Sequence, residues 1–487
     1  MIELPESWTA IVLSDAVINI AITDKKISQK AYLSEGAYPI FDQGQDYIGG
    51  YSNEEENLVD CELPVIVFGD HTRVIKFVNR PFAPGADGIK VLQPQHFYNP
   101  RLLEYFTRHV ATHLTNHGYA RHYQHLVKSK IPLPPIHEQN RIVAKIEELF
   151  SELDKGIENL NTARAQLKVY RQALLKHAFE GKLTAQWRAD NQDKLETAEA
   201  LLKRIQRERA ARYQQQLTDW EASNKQFNRP KAPKFLPPPT AEQMAELPSL
   251  PDGWVYSYLS DLGELGRGKS KHRPRNDSRL FGGIYPFVQT GEVKAANRVI
   301  RTFSQTYSDF GLQQSKLWPT GTLCITIAAN IAETAFLGFD GCFPDSVVGF
   351  SAVKKIIAPE YVDFFIQAAR MRIEAYAPAT AQKNINLETL ENLVVPYCCT
   401  LEQKLILDIL EERFSILDQL KLTITTSFQQ AEALRQSILK KAFSGQLVPQ
   451  DPHDEPASAL LARIKAERME VTVKRRKNVS TKLIKEA

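Results

Sequence analysis

The sequence predicts α/β (α+β) heads that alternate with two long helices, in a duplicated head–helix–head–helix layout. Three observations predict it. A segment of the chain recurs 264 residues later. Each copy has the apolar spacing of a coiled coil. Each copy also follows a region in which short β-like runs alternate with turns.

The repeat indicates an internal duplication. From Glu138 to Leu183, 19 of 46 positions are identical to those 264 residues further on, without a gap. The chain start recurs as well, because LPESW (4–8) resembles LPDGW (250–254). After the repeat, ALLKRIQRER (200–209) resembles ALLARIKAER (459–468). A head and a helix are therefore each present twice.

Head 1 (1–130) and head 2 (248–394) are predicted to mix short strands with a late helix. The predicted strands are 63–68, 74–78, 323–328 and 347–353, and the predicted helices are 101–116 and 359–377. Beyond the opening Trp segment the heads share little sequence, which predicts two ligand specificities on one scaffold. The remaining predicted segments are a first spacer helix (131–183), a charged helix with a Pro-rich linker (184–247), a second spacer helix (395–447) and a basic tail or helix (448–487).

The spacer helices have coiled-coil spacing. Residues 137–180 contain no proline, IPLPP (131–135) precedes them, and Gly181 is the expected C-cap. The predicted apolar seam is Val143, Ile146, Phe150, Leu153, Ile157, Leu160, Leu167, Leu174 and Ala178, and in the second copy Leu407, Leu410, Phe414, Leu417, Ile424, Phe428, Ala431, Ile438 and Ala442. Charged residues interrupt it at Arg164, Arg171, Lys421 and Arg435. We expect the two helices to form an intramolecular coiled coil, parallel or antiparallel; a helical hairpin without functional meaning is the alternative.

Composition narrows the functional classes. The chain of 487 residues is ordinary in its 43% hydrophobic and 24% charged content. It has no apolar run long enough to span a membrane and no signal peptide, so we expect a cytoplasmic protein without a membrane partner. Its five cysteines lack CxxC spacing, which argues against a zinc site. The net charge is only +4, but basic clusters lie at GRGKSKHRPRNDSR (266–279) and at KRRK from Lys474.

Several motifs suggest chemistry that their context does not support. GELGRGKS (263–270) matches a P-loop, but KHRPRNDSR follows it without a helical apolar face, so a nucleotide site is discounted. His109, His113 and His117 are spaced four apart, yet no carboxylate or cysteine accompanies them. FGDHTR (68–73) and FPDSVV (343–348) lack the clustered carboxylates of a nuclease. We expect both segments to be turns that support the fold, with contact to DNA as the alternative. We therefore expect no catalytic residue and no metal site in this chain.

Long polar and basic side chains in turns are the candidates for contact with double-stranded DNA. Gln and Asn can pair with adenine, and Arg and Lys with guanine or phosphate. The candidates in head 1 are Gln43, Gln45, Tyr47, His71, Arg73 and Arg121. In head 2 they are Arg267, Lys269, Lys271, Arg273, Gln289, Thr290, Gln382, Lys383 and Asn384.

The chain resembles the specificity subunit of a Type I restriction-modification system over nearly its whole length. The resemblance is carried by IPLPPIHEQNRIVAKIEELFSELD (131–154), RQALLKHAFEGKL (171–183) and its echo RQSILKKAFSGQL (435–447). In the heads, VIVFGDHTR (65–73), PFVQTGEVK (286–294) and FPDSVVGF (343–350) look like segments of target recognition domains. VVPYCCTLEQK (394–404) departs from the pattern by losing the double proline.

The resemblance implies that each head binds one half of an asymmetric bipartite DNA site. It implies that the helices dock two modification (methyltransferase) subunits, and that two restriction (endonuclease and translocase) subunits complete the complex. S-adenosylmethionine, ATP and Mg are then expected on those partners, and no cofactor on this chain. The alternatives are a coiled-coil P-loop ATPase and a scaffold protein that does not bind DNA.

Overall fold

The chain forms two compact units in a computed structural model. The structure describes residues 4–85, 88–115, 121–223, 229–230, 232–233, 237–353, 355–376 and 384–466. Unit 1 comprises Met1–Asn161 and Thr425–Ala487, and unit 2 comprises Thr162–Ile424. Each unit therefore holds one head together with a part of both long helices.

Head 1, in unit 1, is built from short strands and helices. Its elements are β1 (Thr9–Val12), α1 (Leu13–Ala16), β2 (Val17–Ile20), β3 (Tyr38–Phe41), β4 (Gly50–Ser52), β5 (Val65–Gly69), β6 (Ile75–Val78), β7 (Ala83–Pro84), β8 (Ile89–Pro94), α2 (Pro100–His113), α3 (Tyr123–Leu126) and β9 (Lys130–Leu133). The main sheet has the order β2-β8-β5-β6, with antiparallel neighbours. A small sheet β4-β3-β7 lies in the same head, and β1 pairs with β9.

The first long helix and the segment before head 2 follow. They comprise α4 (Ile136–Phe179), α5 (Ala185–Asp190), α6 (Ala198–Ala222) and α7 (Ala241–Ala245). α4 begins at Ile136, so residues 131–133 of the predicted spacer helix 131–183 belong to strand β9 instead. Gly181 has a φ of +69°, which fits its predicted place just after the helix end.

Head 2, in unit 2, repeats the frame of head 1 and enlarges it. Its elements, with the second long helix, are β10 (Trp254–Tyr258), α8 (Leu259–Leu262), β11 (Gly263–Arg267), β12 (Phe281–Phe287), α9 (Thr290–Ala295), β13 (Val299–Ile300), β14 (Gln305–Tyr307), α10 (Asp309–Gln313), β15 (Leu323–Thr326), β16 (Thr334–Leu337), β17 (Val347–Ala352), α11 (Pro359–Ala375), α12 (Leu387–Glu391), β18 (Val394–Cys398) and α13 (Thr400–Phe443). The main sheet has the order β11-β17-β15-β16-β13. Its first four strands correspond in order and direction to β2-β8-β5-β6.

The two long helices pack antiparallel within each unit. In unit 1, Glu138 near the start of α4 accepts a hydrogen bond from Gln450, which follows α13, and Asp154 further along α4 pairs with Arg435. In unit 2, Thr184 after α4 donates to Glu402 near the start of α13. The open choice between parallel and antiparallel helices is thereby resolved within each unit.

The charged segment after each long helix packs on a head. In unit 2, Leu201 and Ile205 of α6 lie in the hydrophobic core. In unit 1, Leu460 and Ile464 of the helical segment 457–466 take the same place in the other core. In the shorter repeat (200–209 and 459–468), these two apolar positions, which both copies share, are therefore buried. The part of the chain that is described includes no helix long and apolar enough to cross a membrane.

Candidate nucleic-acid interface

In head 1, three predicted contact residues line one cleft. Gln45, Tyr47 and Arg73 form its wall with Lys76 and Arg108, and its volume is about 560 Å³. The loop after β3 meets the loop after β5 because the Thr72 hydroxyl donates to the Gln43 carbonyl at 2.8 Å. The fold thus brings together residues that lie about thirty positions apart in the sequence.

The cleft carries positive charge. Lys76 is paired with Asp42 at 3.2 Å, and Arg108 with the buried Glu104 at 2.5 Å. Arg73 instead donates to a neutral group, the Leu114 carbonyl, at 2.9 Å. Its φ of +60° is unusual for a residue other than glycine, and such conformations occur preferentially at functional sites.

Contacts of Tyr47, and of the loop that contains His71, fix the segments around this cleft. Tyr47 is 51% exposed, and its hydroxyl donates to the Phe77 carbonyl. Asp70 ties the loop that contains His71 to the segment after Arg121, because its carboxylate accepts from the Tyr123 amide at 2.7 Å and its carbonyl from the His122 amide at 3.0 Å. Arg121 is exposed at the start of that segment.

In head 2, the P-loop match does not have P-loop geometry. Gly263–Arg267 is the edge strand β11, and residues 268–277, all of them described, contain no helix. The glycines serve packing. A Cβ at Gly266 would lie 2.6 Å from the Trp318 ring, and one at Gly268 would collide with the Pro344 carbonyl. This close approach explains the glycines without a nucleotide.

The last residue of β11 and the residues after it form an exposed basic loop, which we define as residues 267–279. Arg267, Lys269, Lys271 and Arg273 are all exposed. Asp345 anchors the loop. Its carbonyl accepts from Arg267, and both of its carboxylate oxygens accept from Arg275, at 2.9 and 3.0 Å.

Gln289 and Thr290 lie at the start of α9. The Gln289 side chain accepts from the helix backbone, while the Glu292 carboxylate accepts from the Gln289 amide at 2.8 Å. Gln289 also donates to Gln305 at 2.9 Å. In this structure the Gln289 side chain is therefore held by local contacts. The sequence does not indicate these contacts.

Asn384 lies at the same edge of head 2, beside the loop between β15 and β16. It forms a β-bridge with Ala328, while Ile327 donates to the Ser346 carbonyl next to Asp345. Gln382 and Lys383 lie outside the described residues. The β15–β16 loop also brings Asn330 to this edge, where it accepts from Lys294 at 3.1 Å. Asn330 and Lys294 are not among the predicted contact residues. The left-handed backbone at Ala329 and Ala332, which shapes the loop, has no sequence signature.

The arrangement suits the binding of a polyanion. Among the described residues, no group of three His, Cys, Asp or Glu side chains is placed to hold a metal ion. His109 and His113 contact each other, with ring centroids 4.3 Å apart, whereas His117 lies outside the described part. The two edges instead offer exposed cations and amides, the groups that contact phosphates and base edges.

A known protein family matches the chain in two separate stretches, in agreement with its duplicated layout. The family model for the Type I restriction modification DNA specificity domain matches residues 5–162 and 251–426. The matched residues cover both heads and the first part of each long helix.

Individual relatives match shorter segments. The specificity subunit of the Type I restriction enzyme EcoBI of Escherichia coli is 45% identical over 84 residues, which are 17% of this chain and 18% of that protein. The StySPI specificity subunit of Salmonella potsdam is 43% identical over 81 residues, 16% of this chain and 18% of that one. These matches thus span less than a fifth of the relatives' length.

Solved structures share the fold over most of the chain. A chain from a structure titled for complex assembly and conformational transition of the type I R-M system has a TM-score of 0.61 at 16% identity, covering 91% of this chain and all of that one. The HsdS subunit from Thermoanaerobacter tengcongensis has a TM-score of 0.50 at 16% identity, covering 91% and 98%. With its family model matched in both heads, this chain belongs to the family of Type I restriction modification DNA specificity domains.

Proposed function

We propose that the chain is the specificity subunit of a Type I restriction-modification complex, and that each head binds one half of an asymmetric bipartite DNA site. The observation that carries the proposal is that one sheet frame occurs twice and presents different polar edges. Head 1 presents a cleft around Arg73, and head 2 presents an exposed basic loop. Two different reading surfaces favour two different half-sites.

The long helices are proposed to dock two modification subunits, and two restriction subunits complete the complex in the cytoplasm. In this proposal the chain itself carries no catalytic residue. S-adenosylmethionine, ATP and Mg bind to the partners. In this proposal the heads are residues 1–130 and 248–394. The spacers are residues 131–183 and 395–447, and they are followed by residues 184–247 and 448–487.

Methylome sequencing tests the whole proposal. In cells that carry the gene with those of its partners, we expect a split adenine-methylated motif that disappears when the gene is deleted. The control is the deletion complemented with the intact gene. An unchanged methylome would remove the DNA-specificity function and favour the scaffold alternative.

The basic loop is tested by replacing Arg267, Lys269 and Lys271 with Ala. Each lost phosphate contact lowers the slope of log affinity against log salt by about 0.9, so the triple variant is expected to lose up to about three units. The measurement is a salt titration of duplex binding by the full-length protein. Replacing Lys203, Glu199 and Lys168, which are exposed on helices, is the control. An unchanged slope would place the basic loop away from DNA. Nucleotide binding that the triple variant abolishes would favour the ATPase alternative.

A further inference from the structure

Asp345 is an anionic residue in the most basic part of head 2. We propose that Asp345 is a positioning residue for DNA-backbone binding by head 2, because it fixes the arginines of the basic loop in place. This inference rests on the proposed function of the loop. It predicts that a negative charge strengthens the binding of a negatively charged ligand.

Asp345 holds two points of the basic loop that are eight residues apart. Its carboxylate accepts from Arg275 with both oxygens, at 2.9 and 3.0 Å, and its carbonyl accepts from the Nε atom of Arg267. The bond to Arg267 does not use the terminal amino groups of that guanidinium. Arg275 remains 56% exposed and Asp345 33% exposed. Both arginines are thus oriented while they stay accessible.

The turn that contains Asp345 is itself anchored in the core. Phe343 is fully buried and stacks on Trp318, with ring centroids 5.1 Å apart and an interplanar angle of 20°. The Gly268 amide donates to the Val347 carbonyl at 2.9 Å, and the Val347 amide to the Pro344 carbonyl at 3.1 Å. The core therefore fixes the position of Asp345, and Asp345 in turn fixes the irregular basic loop.

The energetic role of the Asp345–Arg275 pair is orientation rather than stability. An ion pair this exposed contributes little to the stability of the fold. Holding a long side chain in its binding conformation, however, removes an entropy cost of association. A phosphate can then approach the exposed side of a guanidinium that is already in place.

The test compares Asp345→Asn with Asp340→Asn in the full-length protein. Asp340 is a matched control, because it is an exposed aspartate of the same head that holds a turn, accepting from the Thr320 amide at 2.8 Å and hydroxyl at 2.9 Å. Binding is measured to a duplex that carries the methylated motif and to a scrambled duplex of equal length, over a series of salt concentrations.

We expect Asp345→Asn to weaken binding about three- to tenfold and to lower the salt slope by about one unit, the value of one phosphate contact. Arg275→Ala should have a similar effect, and the double variant should be no weaker than either single variant. Asp345→Glu should restore most of the affinity. Asp340→Asn should bind as tightly as the parent protein or slightly more tightly.

Tighter or unchanged binding by Asp345→Asn would overturn the inference, since the carboxylate would then only repel phosphate. Additive losses from Asp345→Asn and Arg275→Ala would also overturn it, as would an equal loss in Asp340→Asn. If the Arg267, Lys269 and Lys271 variant weakens binding and Asp345→Asn does not, the inference fails alone. If neither variant changes the slope, the proposed function of the loop fails with it.

Discussion

The two units use the same contacts to hold a head against the long helices, but they use different residues at the exposed edges. Trp8 donates to Glu138 at 2.9 Å, and Trp254 donates to Glu402 at the same distance. Gln139 donates to the carbonyl of Pro134 at 2.9 Å, as Gln403 does to that of Cys398 at 2.8 Å.

The aromatic contacts are paired in the same way. Tyr105 meets Phe150 edge-on at 5.9 Å, and Phe364 meets Phe414 at 5.4 Å. The residues that recur in the repeat are therefore those that join head to helix. At the exposed edges the heads differ, which is expected if the frame is fixed by packing and the edges by a ligand.

The largest expected difference between the units concerns the buried carboxylates. Glu402 accepts from Arg188, whose side chain is only 11% exposed, at 2.5 Å. The donors to Glu138 include neutral groups, Trp8 and Gln450. We expect Glu402→Ala to destabilise unit 2 by about 3–5 kcal/mol, because it leaves a mostly buried guanidinium without its carboxylate partner.

Glu138→Ala should cost unit 1 only about 1–3 kcal/mol, the usual cost of unsatisfied neutral partners. Hydrogen exchange read separately for each unit measures both values, and Glu152→Ala, at an exposed site on α4, is the control. Equal losses in the two units would contradict the assignment of Arg188 as the cause.

We expect an intermediate loss of stability, of equal size in both units, when the arginines that interrupt the predicted seam are replaced. Arg171 lies 3.9 Å from the centroid of Phe414, and Arg435 lies 4.5 Å from that of Phe150. Each also faces an aspartate, Asp418 or Asp154. Replacing either with Ala should cost about 1–2 kcal/mol in its own unit.

Replacement of these arginines by Lys should recover only part of that loss, since Lys keeps the charge without the planar stacking. Denaturant unfolding measures the change, with the exposed Lys168→Ala as the control. A loss confined to one of the two variants would show that the repeat does not preserve this contact.

The smallest expected effect is a dependence of the stability of unit 1 on pH, near the ordinary pKa of histidine. Burial, and then the neighbouring His113, lower the pKa of His109, whose ring lies 5.0 Å from Phe443. The folded state then binds its proton less tightly than the unfolded state, so stability is present above pH ~6.5 and declines as the pH falls below it.

At the corresponding positions of α11, unit 2 has Ala368 and Arg372, which do not titrate in this range. Hydrogen exchange at two pH values should show protection falling faster in unit 1, and His109→Ala should remove that difference. Equal acid sensitivity in the two units, or in the variant, would contradict this cause.

The long helices could be predicted from the sequence because their backbone hydrogen bonds are local and their apolar positions are periodic. α4 starts at Ile136 and ends at Phe179, against a predicted 137–180. Apolar positions of the predicted seam such as Ile146, Leu410 and Phe414 are buried. The interruptions at Arg171 and Arg435 were visible in the sequence, but their contacts across the helix pair were not, because those partners lie more than 240 positions away.

The sheets and the exposed edges could be predicted only in part. The β5 and β15 strands were recognisable because they are continuous buried runs. The partner strand β2 has only four residues and a mixed burial pattern, so neither its existence nor its place in the sheet followed from periodicity. The role of Asp345 depends on a contact across 70 positions, which no local pattern encodes.

The division of the long helices between the units also has a consequence for synthesis on the ribosome. Unit 2 is one continuous stretch of chain, whereas unit 1 is completed only when α13 and the segment after it return. The core around Ile142 and Ile146 is therefore incomplete until Ile438 and Ala442 have been synthesised. The delay covers about 290–300 residues, or about 15–60 s at ~5–20 residues per second. During that interval the amino-terminal third of the nascent chain exposes the apolar surface that Ile438 and Ala442 later cover, while unit 2 is being completed.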